Sequence, residues 1–182
     1  FGDLKKTELI IRGDTVLAPR LKSVTAAELP ERRKVVSRHD TQTNFQISMA
    51  TPGVLDNLDS FEVAMPEVGK GEVQLEVATV GLNFRDIMAA TGLLPAEAEP
   101  VAAWTTLGLE FGAVVSKLGA GVKGLKVGGH VMGMAKSCLT RYVSLPASTV
   151  TKIPKNISLA DAATIPSAFA TAYYALNRVG NL

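Results

Sequence analysis

The sequence predicts a mainly β fold with a few helices, arranged as a partly open β-barrel. Three observations carry this expectation. Short apolar runs recur from Phe45 to Ile153, separated by Gly and Pro. Glu72 to Val80 alternates cleanly and sets Val73, Leu75, Val77 and Thr79 on one face of a strand. One helical segment then closes the run of strands, whereas a doubly wound sheet would alternate strands and helices throughout.

In chain order, Glu8–Arg12 and Thr15–Leu17 flank Gly13-Asp14 and predict a β-hairpin. Residues 23–43 are charged and aperiodic, which reads as a linker in which Ala26-Ala27-Glu28-Leu29 makes one helical turn at most. Phe45–Met49 alternates until Pro52-Gly53 breaks it. Gly69 and Gly71 turn the chain into the Glu72–Val80 strand. Asp86 to Thr91 has the composition of a short helix, ended by Gly92 and Pro95. Residues 95–106 form a Pro/Ala/Glu-rich loop of a length usually kept for function or mobility. Further strands are expected at 110–118, 130–135, 140–145 and 149–153. Gly119, Gly121 and Gly124 lie between strands and away from any helix N-terminus, so they read as a turn and not as a phosphate cradle. Ser158 or Thr164 caps the final helix.

Composition excludes several functions. The 182 residues carry a net charge of +2, too small to imply a nucleic acid partner. Residues 1–45 hold nine Lys/Arg and six Asp/Glu, and residues 46–182 hold ten and eleven. The run Arg32-Arg33-Lys34 falls in the polar stretch and reads as solvated linker. No stretch approaches the roughly 20 apolar residues of a membrane span. Phe1-Gly2-Asp3 shows neither an initiator methionine nor a secretory apolar region, so the chain is expected to start at a fragment boundary. A single cysteine, Cys138, fits a reducing cytoplasm; without His or acidic neighbours in sequence it is expected to be buried and inert.

The residues able to carry chemistry cluster after the clearest strand, where a rigid element aims side chains into a cleft. Asn83 offers an amide donor and acceptor, and Phe84 a flat apolar surface. Arg85 and Asp86 either pair or leave Asp86 to begin the helix. An Asn-Phe-Arg-Asp string alone carries little weight.

Its surroundings add more. Pro52 to Leu58, the strand Glu72 to Val77, Gly81 to Asp86, Gly108-Leu109-Glu110-Phe111-Gly112, Gly119 to Gly124 and Ile165 to Leu176 occur in this order. Together they resemble the enoyl reductase domain of type I polyketide synthases and fatty acid synthases, zinc-free members of the medium-chain dehydrogenase/reductase superfamily. The resemblance covers residues 45–182, and residues 8–21 resemble the tail of the region that precedes such a reductase. It implies a GroES-like substrate domain over 45–165, a preceding tail and linker over 1–44, and the start of a crossover helix over 166–182. The one Gly-x-Gly-x-x-Gly, Gly119 to Gly124, lies between strands and opens no helix, so the nucleotide-binding Rossmann half is expected to be missing.

The resemblance implies reduction, by NADPH, of an α,β-unsaturated acyl thioester held on an acyl carrier protein, with other domains of the same synthase as partners. Such a fragment alone is expected to be inactive and to bind NADPH poorly. Asn83, Phe84 and Thr171 would line the nicotinamide side of the cleft, while Tyr173 and Tyr174 read equally as packing aromatics. Leu94 stands where many family members place a proton-donating tyrosine and would contact the acyl chain. Either the proton comes from elsewhere, or the product has the opposite α-configuration, or the reductase is weakened. Zinc-dependent relatives carry a histidine at the place of Leu109, and His39 and His130 are far apart in sequence, so no zinc is expected. Glu110 reads as an internal hydrogen-bond fastener more than as a site residue. His130 departs from the family, which has Gly-Asp before a basic residue where this chain has Gly128-Gly129-His130; it is expected to be a surface or core residue. The rival functions are a non-catalytic enoyl-reductase-like scaffold and a quinone-type NADPH oxidoreductase.

Overall fold

The computed structural model describes residues 10–12, 15–17, 43–49, 51–94 and 106–182. The chain divides into two units, 1–32 and 33–182. In the first, β1 (Ile10–Arg12) and β2 (Thr15–Leu17) pair antiparallel with Ile10 opposite Leu17, as the flanking apolar runs predict. The Gly13-Asp14 turn, the linker up to residue 42 and the loop at 95–105 lie outside the described residues.

The second unit is built on an antiparallel sheet of five strands in the order β8-β5-β6-β7-β9. These are β5 (Glu72–Gly81), β6 (Glu110–Leu118), β7 (His130–Met134), β8 (Tyr142–Pro146) and β9 (Val150–Lys152). All five begin and end within two residues of where alternation and glycines put them. A second pair, β3 (Asn44–Met49) and β4 (Leu58–Val63), is attached to it through the stretch before β8. There the Ile47 N–H donates to the Leu139 carbonyl at 2.8 Å, and the Arg141 N–H to the Phe45 carbonyl at 2.9 Å. The sheets curve around a common interior without closing among the described residues, which is the partly open barrel expected.

Two bulges bend the central β5–β6 pair, one at Ser116 and one at Ala78. The first lets the Ser116 hydroxyl reach the Gln74 side-chain oxygen at 3.0 Å, while the Gln74 amide donates to the Pro66 carbonyl at 2.8 Å. Gln74 is therefore as buried as its neighbours Val73 and Leu75, because residues 64–69 cover the face that a simple alternation leaves to solvent. Val73, Leu75, Phe111, Ala113, Val115 and Val131 form the core with Cys138. Each of the larger aliphatics contributes about 1.5–3 kcal/mol by leaving water.

The helices correct one expectation. The single final helix is divided: Ser158 caps the four-residue α2 (Leu159–Ala162), its hydroxyl accepting from the Asp161 N–H at 3.1 Å. A second helix, α3 (Pro166–Tyr173), starts with proline in its first turn and continues as a π-helical turn over Tyr174–Val179. Thr164 caps neither; its hydroxyl donates to the Asp161 carbonyl at 2.8 Å. Asp161 and Pro166 thus fix the break. Among the described residues the first α-helix, α1, runs Phe84–Ala90, and Gly92 at φ +71° follows it, as its sequence predicts.

Candidate functional site

Strand β5 delivers the chain directly into α1 through Gly81-Leu82-Asn83. Asn83 has extended backbone and occupies the helix N-cap. The third helical residue, Asp86, returns to it: Oδ2 accepts from the Asn83 N–H at 2.9 Å. The other oxygen, Oδ1, accepts from the Gly108 N–H at 3.0 Å and lies 3.5 Å from Nη1 of Arg85. Both sequence alternatives hold together, because Asp86 pairs with Arg85 and also anchors the helix start. Only 3% exposed, its carboxylate is compensated by these three partners.

Glu110, at the first position of β6, performs the second fastening. Its Oε1 accepts from Asn83 Nδ2 at 2.9 Å, and its Oε2 from the Ser167 N–H at 2.8 Å. Ser167 lies in the first turn of α3, where N–H groups have no partner within the helix and attract an anion. One buried carboxylate therefore ties the β5–α1 junction to α3. The internal fastening expected of Glu110 is what the geometry gives it.

The two glycines flanking Glu110 and the one ending β5 make this packing possible. A Cβ on Gly81 would lie 2.5 Å from the Ala163 carbonyl and 2.9 Å from Oε1 of Glu110. A Cβ on Gly112 would lie 2.5 Å from the Leu159 carbonyl, the group that accepts the Thr79 hydroxyl at 2.7 Å. At Gly108, φ is +89° and a Cβ would meet the Leu139 nitrogen at 2.5 Å. The Gly-x-Glu-x-Gly string is a set of close backbone approaches around one carboxylate.

With Asn83 and Glu110 bound to each other, neighbouring side chains are turned outward. Phe84 and Leu82 are each 74% exposed. Thr171 is exposed on α3, one turn beyond Ser167, as are Phe169 and Tyr173. Both amide hydrogens of Asn83 are taken, by Glu110 and by the Gly81 carbonyl at 3.4 Å, so this residue sets the position of Phe84.

Beside this junction a cavity of about 540 Å³ runs between β3, β5 and α1. Ile47, Val77, Val80, Ile87, Ala90 and Leu139 are among the apolar residues lining it. Its polar groups are engaged: the Thr79 hydroxyl donates to Leu159, the Thr140 hydroxyl to the Phe45 carbonyl at 2.7 Å, and Asp86 is bonded as above. Leu94 does not line this cavity. It is 7% exposed and packs with Ala89 and Leu107, and Leu107 in turn reaches the cavity wall.

Cys138 is fully buried beneath the same junction, 3.6 Å from the Glu110 carbonyl. Burial, then the negative charge of Asp86, push its thiol up to about 12. Its burial is as expected, and a thiol so protonated is a poor nucleophile. His130 is exposed at the start of β7. Among the described residues no group of three His, Cys, Asp or Glu gathers as a metal site would require. Sequence reasoning missed the cavity and the Ser167 end of the Glu110 clamp. The only signal for the latter was the pairing of a Gly-flanked acid with a Pro-Ser helix start.

Comparison with known proteins fits this architecture. Residues 69–155 match the alcohol dehydrogenase GroES-like domain. Over its whole length the chain is 31% identical to a segment of the reducing polyketide synthase FUB1 of Gibberella moniliformis, of which it spans 8%. Among solved structures, the CurK enoyl reductase superposes with a TM-score of 0.68 at 34% identity, over 74% of this chain and 42% of that one. The mycobacterial protein Rv1454c, solved in complex with NADPH, superposes with a TM-score of 0.61 at 26% identity, over 76% of this chain and 41% of its own.

Proposed function

Because the chain belongs to the medium-chain dehydrogenase/reductase superfamily, as the GroES-like substrate domain of a polyketide-synthase-type enoyl reductase, we propose that it forms the acyl-binding wall of an NADPH-dependent enoyl-thioester reductase. The observation that carries this reading is the apolar cavity adjoining the Asn83–Glu110 clamp. Its volume of about 540 Å³ falls in the range of small-molecule sites. Its engaged polar groups leave a lining suited to hydrocarbon.

In this reading the domain comprises residues 45–165, the segment 166–182 leads toward a nucleotide-binding half, and 1–44 joins it to the preceding synthase region. The substrate arrives on an acyl carrier protein. NADPH, when bound, supplies the hydride for the β-carbon. The residues here fit the apolar face of a nicotinamide ring: Phe84 and Leu82 present exposed apolar surface, and Thr171 adds a hydroxyl on α3. Asn83 and Glu110 fix the first two relative to the third. Such preorganisation is what aligns donor and acceptor without further cost during reaction.

None of the cavity's own side chains is placed to release a proton. Thr79 and Thr140 use theirs on backbone carbonyls. The α-carbon proton is therefore supplied from outside this wall.

The test is chain-length dependence in the intact reductase. Ala90→Leu narrows the cavity and should raise KM for long enoyl thioesters roughly tenfold while sparing crotonyl-length substrates, a methylene or two being worth 1–3 kcal/mol. Equal effects on both lengths would place the acyl chain elsewhere. Parallel assays with a quinone separate the quinone-type reading, and no turnover of either substrate would assign the domain a scaffold role.

A further inference from the structure

A second cavity, sharing no residue with the first, lies where the β6–β7 turn meets β9. It measures about 480 Å³ and has Val115, Leu125, Val131 and Ile153 as its apolar lining. Lys126, His130, Lys152 and Lys155 complete the wall, and all four are exposed. None of them forms an ion pair among the described residues, where the recorded pairs are Arg85–Asp86 and Arg141–Glu76.

The local charge balance is extreme. Between Glu110 and Asp161 the sequence holds seven Lys/Arg and no acidic residue, whereas residues 51–110 hold ten acids and two Lys/Arg. A small net charge over the whole chain hides a face of one sign.

We propose that this cavity is a docking site for an acidic peptide segment of a partner protein, one that sets an apolar side chain against Leu125 and Ile153. Charge complementarity selects the occupant. Unpaired lysines around a small apolar floor favour carboxylates spaced along a chain, with one aliphatic anchor among them. A purely apolar partner would leave three lysines facing nothing, and a bare anion would leave the apolar lining wet. The two cavities have separate linings, so the site is independent of the acyl-binding reading.

The experiment titrates the full chain, labelled for amide NMR, with a synthetic peptide of alternating Asp/Glu and Leu. Saturable shifts at Val131, Ile153 and Lys152 are expected. Raising ionic strength from about 0.05 to about 0.5 M should weaken binding roughly tenfold. Replacing Lys126, Lys152 and Lys155 by Glu should weaken it roughly a hundredfold, with an unchanged thermal melt showing that the fold is kept. Equal binding of an all-Glu peptide would overturn the proposal, since the apolar floor would then be idle. So would displacement of the peptide by inorganic phosphate at comparable concentration, which would make this a small-anion site. Preferential binding to phosphatidylglycerol vesicles, or no binding at all, would overturn it too.

Discussion

Charges serve this domain in two opposite ways, and the contrast lies between the start of β6 and its far end. At Glu110 and Asp86 the carboxylates are few, buried and bonded on both oxygens. Around Lys126, Lys152 and Lys155 the cations are many, exposed and free of ion pairs among the described residues. A buried charge must be satisfied within the fold and so becomes geometry. An exposed, unpaired set stays available to whatever arrives from solution. The same strand carries a fixed junction at one end and borders a docking surface at the other.

The contrast predicts a graded set of effects. Glu110→Ala should be the most damaging, destabilising the domain by about 3 kcal/mol in urea unfolding, because Asn83 Nδ2 and the Ser167 N–H lose their partner together. A loss below about 1 kcal/mol would show that water replaces the carboxylate and that the clamp is incidental. Gly81→Ala should follow at about 2 kcal/mol, since the added carbon meets the Ala163 carbonyl and Glu110 at once.

A smaller effect separates the buried thiol from its surroundings. Cys138 keeps its proton to about pH 12 when folded, against 9.0 ordinarily. The unfolded chain therefore ionises first, and the stabilisation is complete below pH 9, then declines as pH rises toward 12. Comparing Cys138→Ala with wild type across that window isolates this slope; parallel curves would place the thiol in contact with water. The triple replacement of Lys126, Lys152 and Lys155 by Glu should be smallest, within about 0.5 kcal/mol per site. A larger loss would mean that these lysines belong to the fold and not to a partner.

Much of the architecture was legible because alternation, glycines and prolines are local signals. β5, β6, β7 and α1 lie close to where their own residues put them. β4 was not, since Leu58-Asp59-Ser60-Phe61-Glu62-Val63 mixes acids into a half-exposed strand and gives no clean period. The division of the last helix depended on Asp161 and Pro166 being read together. At the site, Asn83, Phe84 and Asp86 announced themselves through their motif, and Phe84 is exposed beside the junction. What the motif could not convey is that Asn83's amide is already spent on Glu110. Leu94 illustrates the same limit: its position in the motif suggested contact with substrate, and its neighbours are Ala89 and Leu107.

The Glu110 clamp also bears on the order in which the domain assembles. Its two partners lie 27 residues before it and 57 after it in the chain. During synthesis the strands β5 and β6 can pair, and the Asn83 bond can form, long before Ser167 leaves the ribosome. Until then one oxygen of a carboxylate destined for the interior has only water for company, and the junction stays open to solvent. Arrival of Ser167 closes it, so the last helix acts as the latch that converts a paired sheet into a finished wall.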